Sequence, residues 1–312
     1  MNINKEILKT VKYFLFFAYQ PTLKEIHTFL QAKISENELK MELGHMVKRR
    51  IIAKYKMMDE NYEKYTPLEY GISTTVIPKN EATSNLSKRK QISKRKLQNW
   101  RYRIYIKLLS IFPQIKLVGL SGSIAMKNAD LDDDIDLFII TQKERLFTGR
   151  FLATIFAYIM GLKRGLKQHK APNKVCLNLF FDENNLKVFK FKQTEFVGHE
   201  VLQMKPIIVK DNIYKRFLEA NRWVQDIFPN SSWIMSKVKN QKSKIQVKSQ
   251  NYFKNFKLLT LTSNFSLLTF NFIESILKNL QLTLINHHRT TELISNTQLW
   301  FHPDDFEKKI KI

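Results

Sequence analysis

Asp134 and Asp136 stand two residues apart at the head of an apolar run, Leu137-Phe138-Ile139-Ile140. If that run is a strand, alternation turns both carboxylates to one face and Ile135 and Leu137 to the other. Two anions held roughly 6–7 Å apart repel by about 0.6 kcal/mol in water and about 2.5 kcal/mol at an effective dielectric of about 20. Asp130, Asp132 and Asp133 precede them, so five of the seven residues from Asp130 to Asp136 are acidic in a chain of formal net charge +24. So sharp a reversal of sign calls for cations. Oxygen ligands with no Cys or His close in sequence point to Mg²⁺ or Mn²⁺ and away from zinc.

Upstream, Gly122-Ser123 supplies what a phosphate requires. Glycine permits close backbone approach, and the serine hydroxyl and the following amides can donate to phosphate oxygens. A helix starting at Ile124 would add the partial positive charge of its N-terminus. A phosphate cradle followed by paired carboxylates is the equipment for nucleoside triphosphate chemistry, with one metal on the triphosphate and a second on the attacking hydroxyl. Other phosphate and metal motifs fail on spacing. A P-loop would need glycine where Ile124 stands, and an EF-hand opening at Asp130 would need glycine and glutamate where Ile135 and Thr141 stand.

Gly122-Ser123, ten residues, and then Asp134-Ile135-Asp136-Leu137 resembles the pattern of the DNA polymerase β-like nucleotidyltransferase superfamily. The resemblance spans about Leu109–Phe191. It implies a mixed sheet backed by helices, Mg²⁺-dependent transfer of a nucleoside monophosphate, and release of pyrophosphate. By the same resemblance Gly122 and Ser123 contact the triphosphate while Asp134 and Asp136 hold the metals. Active members often carry a third carboxylate on a neighbouring strand, here expected within Val175–Asp182. Its midpoint is Asn178, which can ligate a metal but cannot take a proton; Asp182, at the far end, shares its face by parity and is the expected third catalytic acid. Asn178 in the acid's place favours a second expectation, a nucleic-acid-binding regulator whose nucleotidyltransferase domain senses nucleotides without turnover. The chain as a whole resembles bacterial proteins that join such a domain to an N-terminal winged helix.

The elements that must position these residues give an α+β fold: a mixed-sheet nucleotidyltransferase core backed by helices, an N-terminal winged-helix unit and C-terminal helices. The expected divisions are 1–70 for the winged-helix-like unit, 71–112 for a linker and long basic helix, 113–200 for the core, and 201–312 for a C-terminal helical region with a flexible segment near 231–251. In the first unit, apolar spacing predicts a helix over 3–17, Pro21-Thr22 opens a second, and Ser35-x-x-Glu38 is a capping box for a third. Strands at 51–55 and 62–65 would pair around the turn 58–61. Lys48-Arg49-Arg50, closing the third helix, suits phosphate contacts. A single helix over 86–112 would bury Leu97, Trp100, Ile104, Leu108 and Ile111 and leave Lys88, Arg89, Lys90, Lys94, Arg95 and Lys96 in solvent. A helix over 144–162 would lay Phe147, Phe151, Ile155 and Ile159 on the sheet. Strands follow at 174–182 and 186–191, with a helix at 213–228 and mostly helix over 253–288.

At 312 residues and 44% apolar content the chain can bury a sizeable core. Its positive charge suits a polyanionic partner, a nucleoside triphosphate or nucleic acid held through basic surfaces, although drift towards Lys, Asn and Ile codons accounts for the same excess. Lys163, Arg164, Lys167 and Lys170 could neutralise such a partner, and Arg289, Glu292 and His302 could fold over the site. The single cysteine, Cys176, excludes an internal disulfide, reads as an inert core thiol, and fits the reducing cytoplasm. No signal peptide and no uninterrupted apolar run of about 18 residues is present, so stable membrane insertion is not expected. The helix near 265–285 reads as domain packing, its apolar side a secondary candidate for a membrane surface. The sequence specifies neither the acceptor nor an oligomeric state.

Overall fold

The computed structural model describes residues 2–56, 63–67, 79–165, 171–234, 236, 265–288 and 291–301. The expected turn at 58–61, linker residues 71–78, Lys167, Lys170, residues 237–251, Arg289 and His302 lie outside the described residues. Three N-terminal helices form where local signals ask for them. Asn2 caps α1 (Ile3–Phe16), and full capping boxes open α2 (Leu23–Phe29, Thr22 with Glu25) and α3 (Glu36–Lys48, Ser35 with Glu38). Strands β1 (Ile52–Lys56) and β2 (Glu63–Pro67) pair antiparallel beside them. Ile7, Val11, Ile26, Leu39, Leu43 and Met46 give this unit a core of its own.

The central sheet has the order β6-β3-β4-β5-β8-β7, formed by β3 (Ile115–Leu120), β4 (Ile135–Thr141), β5 (Val175–Asp182), β6 (Lys205–Val209), β7 (Leu293–Ile294) and β8 (Gln298–Trp300). Among the described residues β4 and β5 are its parallel pair, and α7 (Leu146–Ile159) makes the crossover they require. The other pairings are antiparallel. The fold is therefore α+β with a mixed sheet. Both β6 and β8 come from the stretch assigned to C-terminal helices, so the sheet continues well past residue 200.

The sheet separates two cores. On one side Phe138, Ile140 and Phe181 pack with α8 (Glu195–Gln203) and α9 (Ile213–Ala220), and with Tyr13, Phe14 and Phe29 of the N-terminal unit. On the other side Val118, Ile135, Leu137 and Ile139 pack beneath α4 (Lys79–Gln98), α5 (Trp100–Ile111), α7 and α11 (Phe265–His288). A short α10 (Val224–Ile227) completes the first side. Among the described residues no helix is long and apolar enough to cross a membrane.

Several expected elements are corrected, each for a local reason. The single helix over 86–112 breaks at Asn99, whose side chain caps α5 by accepting from the Arg101 N–H. The break changes the helical phase: Tyr102, Tyr105 and Leu109 face inward, while Trp100 and Ile104 are exposed. In α7 the inward residues include Phe147, Gly149, Ala153 and Ala157, while Phe151 and Ile159 point outward. Small residues let this helix approach the sheet closely. No strand forms over 186–191, because side chains take its backbone bonds: Val188 N–H donates to Asn221 Oδ1 and Lys187 C=O accepts from Gln298 Nε2. The helix over 213–228 is likewise divided at Asn221, whose buried amide also donates to the Leu186 and Phe217 carbonyls.

Candidate functional site

Strand β3 delivers the chain to Ser121, whose N–H donates to the Asp136 carbonyl across the sheet. The next residue, Gly122, lies in the left-handed region at φ +59°, where a Cβ would stand 2.5 Å from Asp136 Oδ2. Glycine is required there for both reasons. The turn opens α6 (Gly122–Ala125), a single helical turn. Strand β4 then brings Asp134 and Asp136 to one face while Ile135 and Leu137 are buried on the other, as the alternation predicts.

Strand β5 supplies the neighbours. Asp136 lies opposite Cys176, and the register shifts immediately beyond. Asn178 Nδ2 donates to Asp136 Oδ1 at 2.7 Å, and Cys176 Sγ donates to Asn178 Oδ1 at 2.7 Å. Arg164 Nη1 pairs with Asp134 Oδ2 at 2.6 Å and lies 3.5 Å from Cys176 Sγ. Ligand atoms of Asp134, Asp136 and Cys176 all fall within 4.8 Å of one another. The thiol is thus a hydrogen-bonding member of the constellation as well as the buried, unreactive group expected. Burial first, then Asp136 and Asp134, push it up to about 12, so it remains a protonated donor.

The structure also places a carboxylate that the sequence reading did not single out. Glu200 on α8 accepts the Gly122 N–H, and burial raises its carboxyl to about 7. Asp136 is raised well above the ordinary carboxylate range by burial, then by Asp134 and Glu200. Asp182, expected to complete the site, does not reach it. It lies opposite Thr141 at the other end of β4, where its carboxylate accepts the Glu144 and Asn184 N–H groups at 2.7 and 2.8 Å. Its work is to brace two turns.

The acidic loop before β4 is held by the protein's own cations. Arg89 pairs with Asp130 at 3.2 Å, and Lys96 Nζ donates to the Leu131 and Asp133 carbonyls at 2.8 and 2.6 Å. Lys96 is buried and Arg89 half-buried, correcting the expectation that this run stays in solvent. Ser123 is tied into the same loop, its hydroxyl donating to Asp133 Oδ2 at 2.7 Å. Above the site opens a cavity of 490 Å³. One wall is Ser121, Gly122, Ser123, Asp133, Asp134, Asp136 and Glu200; facing it are Tyr13, Phe14, Phe16 and Phe17 of the N-terminal unit. Glu292 precedes β7, at the sheet's far edge.

Of the expected site residues, Gly122, Ser123, Asp134 and Asp136 come together, Asn178 joins them, and Asp182 does not. Cys176 was recoverable from strand parity with Asn178. Glu200 and the α1 aromatics carried no local signal, since they arrive through tertiary packing. The donor set suits a divalent cation: two carboxylates on one face, close enough that one raises the pKa of the other, gain by sharing a positive charge. Comparison of the chain with protein-family models, with curated proteins and with solved structures found no match.

Proposed function

We propose that the chain is a Mg²⁺-dependent nucleotidyltransferase of the DNA polymerase β-like class, carrying an N-terminal winged helix and transferring a nucleoside monophosphate from an NTP to an acceptor hydroxyl. The observation that carries this reading is the left-handed Gly122 turn packed against the Asp136 carboxylate, within a cavity that Asp134 shares. Ser123 would donate its hydroxyl to a triphosphate oxygen in exchange for Asp133 Oδ2, with the amides that follow Gly122 beside it. Asp134 and Asp136 would hold Mg²⁺, or Mn²⁺ in its place. The ion would neutralise the triphosphate and acidify the attacking hydroxyl. Asn178 fixes the Asp136 carboxylate through its amide, and Glu200 is the carboxylate in the cavity suited to accept the acceptor's proton near neutral pH. A lone thiol suits work in a reducing cytoplasm.

A second reading has its own support. Arg164 on Asp134 and Asn178 on Asp136 already satisfy both carboxylates, as a nucleotide-sensing regulator without turnover would allow. Titration with Mg²⁺–NTP and a pyrophosphate-release assay separate the two. The enzyme reading expects pyrophosphate release with an acceptor from cell lysate. Asp134→Ala with Asp136→Ala should slow it about a thousand-fold, equivalent to roughly 4 kcal/mol of barrier. Tight nucleotide binding with no turnover would leave the sensor. Binding and turnover untouched by the double variant would remove the site assignment itself.

A further inference from the structure

We propose that the outward side of the helical layer formed by α5, α7 and α11 docks the protein on an anionic lipid bilayer surface. On α11, Phe272, Ile276, Leu280 and Leu284 recur every four residues and are 68%, 42%, 59% and 68% exposed. They form one stripe. The side of the same helix centred on Glu274 and Gln281 does the packing: buried Gln281 donates to the Phe147 carbonyl at 2.8 Å, and Leu277 and Leu282, flanking that side, are partly buried against the core beneath the sheet. The exposed stripe is therefore surplus to holding the helix in place. Two amphipathic aromatics extend it across the layer, Trp100 on α5 at 61% exposure and Tyr158 on α7 at 73%. Side chains of this kind settle at the depth of lipid headgroups.

Charge selects the occupant. The three helices contain a single acid, Glu274, and it faces inward, its carboxylate accepting the Phe147 and Thr148 N–H groups at 2.8 Å each. Arg101 and Arg103 are exposed on α5, and Lys94 and Arg95 are exposed on the adjoining α4. An apolar stripe bordered by cations, with no outward carboxylate, complements acyl chains beneath anionic headgroups. A second copy of the chain, itself of formal net charge +24, would set like-charged borders against each other. Nucleic acid would complement the cations and leave the leucines in water. The cavity opens on the opposite side of the sheet, with the N-terminal unit, so a docked protein keeps it open to solution.

The test is co-sedimentation of the full chain with phosphatidylcholine vesicles, with or without phosphatidylglycerol. Binding is expected to the anionic vesicles, weakening with salt. Leu280→Glu with Leu284→Glu should weaken it about ten-fold or more, because two acids then oppose both insertion and the headgroup charge. As a check independent of that variant's folding, a brominated lipid should quench the unsubstituted chain more than its Trp100→Phe form. Failure to sediment with anionic vesicles at low salt, or equal sedimentation of the folded double variant, would overturn the proposal. So would tight self-association in an ultracentrifuge that the double variant abolishes.

Discussion

The backbone N–H of Gly122 ends on the Glu200 carboxylate, and that contact ties the left-handed turn to α8. Burial, the larger influence, raises Glu200 from the usual 4.5 to about 7. The folded protein then holds a proton that the unfolded chain releases, so this group's contribution to stability falls as pH rises through about 4.5 to 7. Glu200→Gln removes the dependence. Urea unfolding should show the variant gaining on the parent between pH 5 and pH 8, by up to about 3 kcal/mol. If Glu200 is also the proton acceptor, transfer by the parent should rise with pH to a plateau above about 7, and the variant should lose that rise and most of the rate. A variant with an unchanged pH–rate profile would reduce Glu200 to a brace for the turn.

Between elements, the most exacting junction is α1 and α2 against α8. His199 is buried there, stacked between Tyr13 at 3.8 Å and Phe29 at 4.2 Å between ring centroids. Burial, then Lys9, lowers its pKa well below 6.5. Unfolding lets it take up a proton below 6.5, so its contribution is fully present above that pH and is lost as pH falls beneath it. Each pH unit below 6.5 should cost up to about 1.4 kcal/mol, and His199→Leu should abolish that loss in urea melts at pH 7.5 and 5.5. Glu200 works in the opposite sense over part of this window, so the parent's own curve is flattened and single variants are needed to see either group. This junction also marks where the sequence stops being legible. The capping boxes at Thr22 and Ser35 and the alternation through Asp134–Leu137 are local patterns, and each sets its element. Glu200 against Gly122, Lys96 under the acidic loop and Asn221 in place of a strand's partner are contacts across 33 or more residues of chain, with no spacing to announce them. Asp182 misled because parity places it on a face but not at an end of that face.

At the scale of the molecule, the sheet sets two differently equipped surfaces apart. The α5–α7–α11 layer offers apolar side chains with bordering cations, whereas the N-terminal unit gathers three cations at one helix end. Lys48, Arg49 and Arg50 are exposed together at the end of α3, and Arg50 takes a left-handed φ of 54° as the chain turns into β1. In a winged helix used on nucleic acid, such a cluster meets phosphates. It adds affinity without reading sequence, and its signature is salt dependence. Against a random duplex, the parent's log K should fall steeply with log salt concentration. Replacing Lys48, Arg49 and Arg50 with alanine should flatten that slope by about 3, roughly 0.9 per lost phosphate contact. The cavity above Asp134 and Asp136 faces α1 in the same unit, so if it takes an NTP, a bound duplex and the NTP would press on one docked module, and NTP affinity should change when duplex is added. An unchanged slope would move any nucleic-acid contact off α3. The basic helix α4, which already holds the acidic loop through Arg89 and Lys96, would then be the next surface to neutralise.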